Sequence, residues 1–193
     1  NAFFDEDRAA MVDAGISIIW CPTAYLSLGI HDDAPCRIPD LYRRGINVAL
    51  GTDAALDCTI GDAGRTAYLV AKDVCDPIDY SQIIEMQTIN AAIASGLAEI
   101  TGSLEPGKRA DIVIRRNDAP EARPGFNPMH QVALTARAGT VDTVVVDGLV
   151  VFKKGQAIRV DTEEVYAAAL ASVRRRVDRL GIQAPEPWPI VES

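Results

Sequence analysis

Two short and nearly continuous apolar runs mark the first part of the chain. Ile16–Cys21 reads ISIIWC and is stopped by Pro22, and Ile46–Gly51 reads INVALG. Uninterrupted runs of this length are typical of strands that are covered on both faces of a parallel sheet. A short helical pattern precedes each run and ends at Gly15 or Gly45, the residue type that favours a left-handed C-terminal cap. The alternation of helix and strand predicts an α/β fold.

The segments around and after these strands alternate between loop and helix. A polar loop is predicted from Thr23 to Pro35, and a helix is predicted near Asp62–Lys72. A further helix is opened by Asp79 with Gln82 three residues later, which is capping-box spacing, and the pattern restarts through NAAIASGL. The first hundred residues therefore predict mainly helices around two buried strands.

From about Gly102 the sequence pattern changes from alternating helices and strands to short β-strands. ADIVIRR predicts one strand, and VDTVVV and LVVFKK are separated only by Asp147-Gly148, the pair that favours a type I′ hairpin. The following KKGQ turn and AIRV predict a β-meander. Asp161 with Glu164 then opens a last helix that ends at Gly181.

Composition narrows the function classes. The 193 residues are 48% hydrophobic and 24% charged, which suits a globular chain of one or two domains. The formal charge of −8 argues against binding to nucleic acid or to an anionic membrane, and no apolar run reaches the roughly 18 residues of a membrane span. The acidic composition is more consistent with a protein that acts on small molecules. The four cysteines form no Cys-x-x-Cys pair, so a reduced, cytoplasmic setting is expected; they are Cys21, Cys36, Cys58 and Cys75.

The most informative polar residue is Asp53, directly after the second apolar run in the sequence INVALGTD. In parallel α/β sheets and barrels, catalytic side chains cluster just past the carboxyl ends of the strands. A carboxylate there can bind a divalent cation and accept a proton from an attacking water. Taken alone, the pattern is equally well explained by an Asp that caps the following turn through Thr52 and Ala54.

Four motifs, which follow one another along the chain, favour the catalytic interpretation of Asp53 over the turn-capping one. They are WCPTAYLSLG, LYRRGINVALGTDAA, INAAIASGLAEITGSLEPGKRADIVI and VDTVVVDGLVVFKKG. Together they resemble the C-terminal part of the amidohydrolase superfamily, in the branch of cytosine, guanine and adenosylhomocysteine deaminases and triazine hydrolases. The resemblance runs from about Asp5 to about Gly155. It implies the C-terminal part of a (β/α)8 TIM-type barrel, followed by part of a small β-sandwich domain and a C-terminal helix.

The resemblance also implies a metal site. Asp53 would be the strand-eight metal ligand and proton shuttle for one Zn²⁺ or Fe²⁺ per active site. The family's histidine ligands would lie upstream of Asn1, since the chain holds only His31 and His130. A catalytic zinc generally needs three protein ligands, so the chain alone is expected to be inactive without the missing N-terminal barrel portion. The absence of an initiating Met likewise predicts a fragment or processed product, and the family implies a homodimer.

Three further residues are candidates for substrate binding. Trp20 stands where many relatives carry His, and Thr23 and Tyr25 lie in the predicted loop after the seventh barrel strand, which faces the substrate in the family. Plain packing is the competing interpretation for Thr23 and Tyr25.

Other conspicuous residues have simpler explanations. The HDD run at 31–33 is predicted to be a solvated turn or a lip over the pocket, and His130 is predicted to pack between sandwich and barrel. Lys108 and Arg109 are expected in an exposed turn, and Arg174–Arg176 on a solvated helix face.

The leading hypothesis is a metal-dependent hydrolase that acts on a carbon–nitrogen bond of a small heterocycle, most simply by deamination. Dechlorination and ring amide hydrolysis are the next reactions considered. One alternative is a non-catalytic scaffold or assembly fragment with the same fold, and a third is an independent α/β binding domain, disfavoured because two barrel strands would leave apolar edges open. The predicted divisions are barrel at 1–101, β-sandwich at 102–160, and helix and tail at 161–193.

Overall fold

The protein is described from a computed structural model, which covers residues 5–30, 36–53, 57, 59–74, 76–135 and 138–182. The chain forms two compact units, 1–155 and 156–193. The first unit contains an α/β part and an antiparallel sheet. The second contains a short strand and a long helix.

The α/β part begins with helices around two strands. Its elements in order are α1 (Asp5–Asp13), β1 (Ser17–Trp20), α2 (Pro22–Ser27), α3 (Ile38–Arg43), β2 (Asn47–Leu50), α4 (Ile60–Asp73), α5 (Tyr80–Gln87) and α6 (Ile89–Ala94). The predicted capping box is confirmed, because the Asp79 backbone N–H donates to Gln82 Oε1 at 2.8 Å. Helix α4 begins with a second box, in which the Thr59 and Asp62 side chains each accept from the other residue's backbone N–H.

The two strands pair in parallel, with Ser17 opposite Asn47 and Trp20 opposite Leu50. Val48, Ala49 and Leu50 of β2 are all buried, as expected for a strand covered on both faces. The same expectation is wrong for β1, where the Ile19 side chain is 56% exposed. Within the described part of the chain, helices cover only one face of this strand.

The hydrophobic core lies between these strands and their helices. It joins β2 to α3, α4 and α5 through large side chains with almost no exposure, chiefly Leu41, Val48, Ile83 and Met86. Burial of each such side chain contributes roughly 1.5–3 kcal/mol. This packing holds the carboxyl end of β2 in place.

A buried amide connects α6 to the sheet. Asn90 Nδ2 donates to the Val48 carbonyl oxygen at 3.0 Å, and the Asn90 carbonyl accepts from Asn47 Nδ2 at 3.0 Å. Asn47 Nδ2 also donates to Ser17 Oγ at 2.9 Å. Asn90 therefore supplies a hydrogen-bond donor to a main-chain acceptor of the buried strand β2.

Replacement of Asn90 by Ala is expected to lower the free energy of unfolding by about 1–3 kcal/mol, because the Val48 carbonyl loses its donor inside the fold. Asn117→Ala is the control, since Asn117 is exposed and its replacement should change stability by less than about 0.5 kcal/mol. Urea denaturation measures both variants. Equal stability of the two variants would contradict this role of Asn90.

The second part of unit 1 is an antiparallel sheet of β3 (Ile112–Arg115), β4 (Val141–Val146) and β5 (Leu149–Lys153). The predicted hairpin is confirmed, because Asp147 and Gly148 both have positive φ, 51° and 76°, as a type I′ turn requires. Short helical segments lie between β3 and β4, at Pro120–Ala122, Pro128–His130, Gln131–Thr135 and Ala138–Thr140.

Asp111 links this hairpin to the turn before β3. Its Oδ2 accepts from Thr101 Oγ1 at 2.6 Å, and its Oδ1 accepts from the Asp147 backbone N–H at 2.7 Å. These bonds, with the one from Thr101 the stronger influence, lower the pKa of the Asp111 carboxyl. The charged form of Asp111 is therefore favoured by folding.

A folded-state pKa below the unfolded value of about 3.9 implies stabilisation that is present above that pH. We expect this stabilisation to be lost as the pH falls through the lower folded-state pKa. Wild type should therefore exceed Asp111→Asn in stability by a constant amount from neutral pH down to about pH 4, and the two should converge only as acidification continues below it. Urea denaturation across this range tests it, with Asp118→Asn as the control for loss of an exposed carboxylate. A difference that does not change with pH would contradict the linkage.

Unit 2 contains β6 (Gln156–Ala157) and helix α7 (Thr162–Leu180). The strand predicted over AIRV is largely wrong, because only Ala157 of that segment is extended. The predicted helix ends are confirmed: Asp161 Oδ1 accepts from the Glu163 and Glu164 backbone N–H groups, and Gly181 is left-handed. No helix in the described ranges has the length and apolar character needed to cross a bilayer.

Candidate active site

The candidate site lies where β1 and β2 end together. Their parallel register brings the two carboxyl ends to one edge, and the Gly51 backbone N–H donates to the Trp20 carbonyl at 2.8 Å. Cys21 follows β1 there, while Thr52 and Asp53 follow β2. This edge is where functional side chains of parallel sheets collect.

Gly51 sets how closely the two strand ends approach. A β-carbon at this position would lie 2.8 Å from Cγ2 of Ile19 and 2.9 Å from Sγ of Cys21. Such distances are too short for carbon and sulfur atoms, so a larger residue here would displace the Ile19 or Cys21 side chain. The glycine of the GTD motif thereby fixes the position from which Asp53 departs.

Asp53 itself has an unusual backbone conformation. Its φ is +48°, in the left-handed region that Asp and Asn enter more readily than most other residues. Its side chain is exposed at the strand end. Asp53 therefore lies where it was predicted to lie, just beyond the carboxyl end of β2. Ala54, through which it could instead cap a turn, lies outside the described residues.

The residues after β1 form the helix Pro22–Ser27, so the loop predicted from Thr23 to Pro35 is wrong for Thr23–Ser27. Pro22 is buried at the first turn of α2, where its fixed φ suits a helix and its missing N–H costs nothing. Thr23 is half-buried, and its Oγ1 donates to Asp57 Oδ1 at 2.9 Å. The start of α2 is thus bonded to the segment that follows Asp53.

Trp20 and Tyr25, the other proposed substrate contacts, belong to the hydrophobic core. Their exposed fractions are only 3% and 6%. The Trp20 Nε1 is buried and has no hydrogen-bond acceptor among the described residues. These burial values fit the packing interpretation of Tyr25, and the prediction that Trp20, Thr23 and Tyr25 bind substrate stays a prediction.

The electrostatics of this edge are set by carboxylates. Burial raises the pKa of the Cys21 thiol, and the negative charges of Asp53 and Asp57 raise it further. The thiol is therefore protonated near neutral pH, which argues against a nucleophilic thiolate at this position. Among the described residues, the ionisable side chains that follow the two strands here include the Cys21 thiol and the Asp53 and Asp57 carboxyl groups.

Two residues that support this region, Asp57 and Asn90, were not identified from the sequence. Asp57 has one oxygen bonded to Thr23 while its Oδ2 is buried with no donor among the described residues. Asn90 donates a hydrogen bond to the Val48 carbonyl of β2, although the two residues are 42 apart in sequence. Only the proximity of Asp57 to the GTD motif signalled its place, and no local pattern signalled that of Asn90.

The remaining candidates lie elsewhere. The prediction that Lys108 is exposed is wrong, because its side chain is only 14% exposed and its Nζ donates to Ser103 Oγ at 2.6 Å. The same prediction is confirmed for Arg109. His130 packs edge-on against Tyr80, with ring centroids 5.1 Å apart. Arg174–Arg176 lie on an exposed helix surface, as predicted. The HDD run at 31–33 lies outside the described residues.

A catalytic zinc site is not complete within these residues. No group of three or more His, Cys, Asp and Glu side chains suited to a metal occurs in the described ranges. Asp53 offers one oxygen donor of the correct chemistry, whereas three protein ligands are usual. The described residues therefore do not fit a whole metal site, although Asp53 fits one ligand of it.

The chain is similar to one family of known proteins over most of its length. The model of the amidohydrolase family matches residues 11–151. A 5-methylthioadenosine/S-adenosylhomocysteine deaminase from Moorella thermoacetica is 33% identical over 168 residues, covering 84% of this chain and 39% of the relative. The enzyme of that name from Desulforudis audaxviator is 36% identical over 180 residues, covering 90% of this chain and 41% of the relative.

Solved structures show the same fold. An adenosine deaminase from Xanthomonas campestris with bound zinc has a TM-score of 0.81 and 28% identity, and the match covers 92% of this chain and 40% of that protein. Atrazine chlorohydrolase from Arthrobacter aurescens, complexed with zinc, has a TM-score of 0.72 at 24% identity, covering 86% and 38%, and supports the fold only. The chain spans about two fifths of the length of these proteins. The resemblance seen in its motifs is confirmed: the chain belongs to the amidohydrolase family.

Proposed function

We propose that this chain forms part of a metal-dependent hydrolase that cleaves a carbon–nitrogen bond of a small heterocycle, with deamination as the reaction. The observation that carries the proposal is the position of Asp53, an exposed carboxylate just beyond the carboxyl end of β2 in an amidohydrolase-family chain. The left-handed backbone at Asp53 supports it, because sparsely populated conformations concentrate at functional sites.

Asp53 is proposed to act as one metal ligand and as the proton carrier. A bound Zn²⁺ or Fe²⁺ supplies the ability to activate water near neutral pH. The Asp53 carboxylate accepts the proton released during attack and delivers it to the departing amine. Its exposure supports this role, since an exposed carboxylate at the strand end is accessible to an attacking water and to a substrate.

The other metal ligands are proposed to come from outside the described residues. One carboxylate cannot hold a catalytic metal, and the relatives named above are about two and a half times as long as the region they share with this chain. The complete active site is then formed with the remaining N-terminal barrel portion, in the same polypeptide or in a complex. On this proposal 1–101 is barrel, 102–160 is β-sandwich and 161–193 is a terminal helix and tail.

The proposed substrate is an amino-substituted purine nucleoside or a related amino-heterocycle. The names of the sequence relatives, which refer to adenosine derivatives, support the purine class. Trp20, Thr23 and Tyr25 are proposed to form or support the substrate side of the site. A cytoplasmic homodimer is the proposed setting.

The experiment is an ammonia-release assay of the complete gene product. The panel contains adenosine, 5-methylthioadenosine, S-adenosylhomocysteine, guanine, cytosine and an amino-triazine. The proposal expects saturable release from at least one compound. A protein that is folded and metal-loaded but releases no ammonia or other leaving group from any of them would contradict it.

A non-catalytic scaffold is the second candidate function. The observation in its favour is that the described residues contain no complete group of metal-binding side chains. The same assay separates the two functions, because a scaffold predicts a folded gene product without turnover.

A further inference from the structure

The strand ends are joined by one side-chain hydrogen bond that the proposed chemistry does not use. Thr23 Oγ1, at the start of α2, donates to Asp57 Oδ1 at 2.9 Å, and the partners are 34 residues apart in sequence. Asp57 stands four residues after Asp53. The bond therefore ties the segment after β2 to the element after β1.

Asp57 occupies a costly position for a carboxylate. The residue is half-buried, and its Oδ2 is buried with no donor among the described residues. An unsatisfied buried acceptor carries a desolvation penalty, and such groups in native structures call for an explanation. A methyl-bearing side chain in place of Asp57 would avoid the penalty, so packing alone does not account for an acid here.

The surrounding contacts leave this bond as a strong constraint on the segment. The Gly51 N–H donates to the Trp20 carbonyl, and a β-carbon on Gly51 would meet the side chains of Ile19 and Cys21. Beyond Gly51, Asp53 is exposed. Beyond Asp53, the Thr23–Asp57 bond joins Asp57 to the start of α2.

We propose that Thr23 and Asp57 are positioning residues that hold the segment carrying Asp53 against the start of α2. This inference rests on the proposed function for its catalytic consequence. Its structural content, a hydrogen bond that orders the segment, stands apart from any reaction. The Thr23 hydroxyl then acts through Asp57, so Thr23 supports the substrate side of the site without contacting the substrate itself.

The test uses the complete gene product and four variants: Thr23→Val, Thr23→Ser, Asp57→Ala and the Thr23→Val/Asp57→Ala double variant. Thr66→Val is the matched control, because Thr66 is also a half-buried helical Thr whose hydroxyl donates one bond, to the Asp62 carbonyl at 3.1 Å. Two quantities are measured: amide hydrogen exchange at Gly51, Thr52 and Asp53, and kcat and KM for the best substrate.

Thr23→Val is expected to accelerate exchange at these amides by about fivefold, and Thr66→Val to leave it unchanged. It is expected to lower kcat by about 10- to 100-fold with KM altered less than about threefold, because a displaced catalytic group costs rate more than affinity. Thr23→Ser should restore both values to within about threefold of wild type. The double variant should be no worse than either single variant, as coupling through one bond requires.

Unchanged exchange in Thr23→Val would overturn the inference, and so would equal losses of kcat in Thr23→Val and Thr23→Ser. Additive losses in the double variant would also overturn it. If wild type releases no leaving group from any substrate, the proposed function fails, and the exchange measurement alone decides whether the bond orders the segment.

Discussion

Replacement of Asp53 by Asn is expected to reduce kcat of the complete gene product by about 10³-fold or more. The substitution keeps the size of the side chain and is suited to the backbone, since Asn also tolerates the φ of +48° found here. It removes the ability to accept a proton and weakens a metal ligand. Steady-state kinetics of the purified variant measure the effect.

Asp147→Asn is the matched control for this substitution. Asp147 is likewise an exposed Asp with positive φ, +51°, and it lies in the hairpin turn between β4 and β5. The same chemical change at Asp147 should leave kcat within about twofold of wild type. An Asp53→Asn protein with unimpaired turnover would remove Asp53 from the mechanism.

The largest effect on stability is expected at Gly102, where the helical and sheet parts of unit 1 meet in sequence. Gly102 has φ +95°, and a β-carbon there would lie 2.6 Å from the Ala92 β-carbon and 3.1 Å from the Ile89 α-carbon. The second of these atoms is backbone and cannot move aside cheaply. Gly102→Ala should therefore lower the free energy of unfolding by about 3 kcal/mol or more, from strain and overlap combined.

Gly107→Ala separates the two contributions. Its φ is +94°, almost the same as that of Gly102, but a β-carbon there would meet nothing within 4 Å. This variant should lose only the cost of the backbone conformation, about 1–2 kcal/mol. Chemical denaturation of both proteins gives the difference. Equal losses would show that the contact with α6 does not constrain Gly102.

Local signals in the sequence predicted most of the elements. The Asp147-Gly148 turn, the Asp79–Gln82 capping box and the Asp161 N-cap each depend on residues close in sequence, and all three were predicted correctly. The paired strands followed from uninterrupted apolar runs. The position of Asp53 at the end of β2 followed from the order of strand and motif.

Features that depend on distant residues were not predictable in this way. The Thr23–Asp57 bond spans 34 residues and the Asn90–Val48 bond spans 42, and no local pattern distinguishes these side chains from surface polar groups. Helix α2 was mistaken for a loop because it is short and is bordered by Pro and Gly. Its helical start is stabilised by the burial of Pro22, which depends on distant residues. Lys108 was mistaken for a surface residue because its bond to Ser103 is a feature of turn geometry.

The metal content of the complete gene product tests the central claim most directly. Expressed with zinc and iron available, it should carry about one Zn²⁺ or Fe²⁺ per chain by elemental mass spectrometry. The metal-stripped protein should gain thermal stability on titration with that metal, since a ligand that binds only the folded state raises Tm. A folded gene product without metal, whose Tm neither ion changes, would contradict the hydrolase account and favour the scaffold.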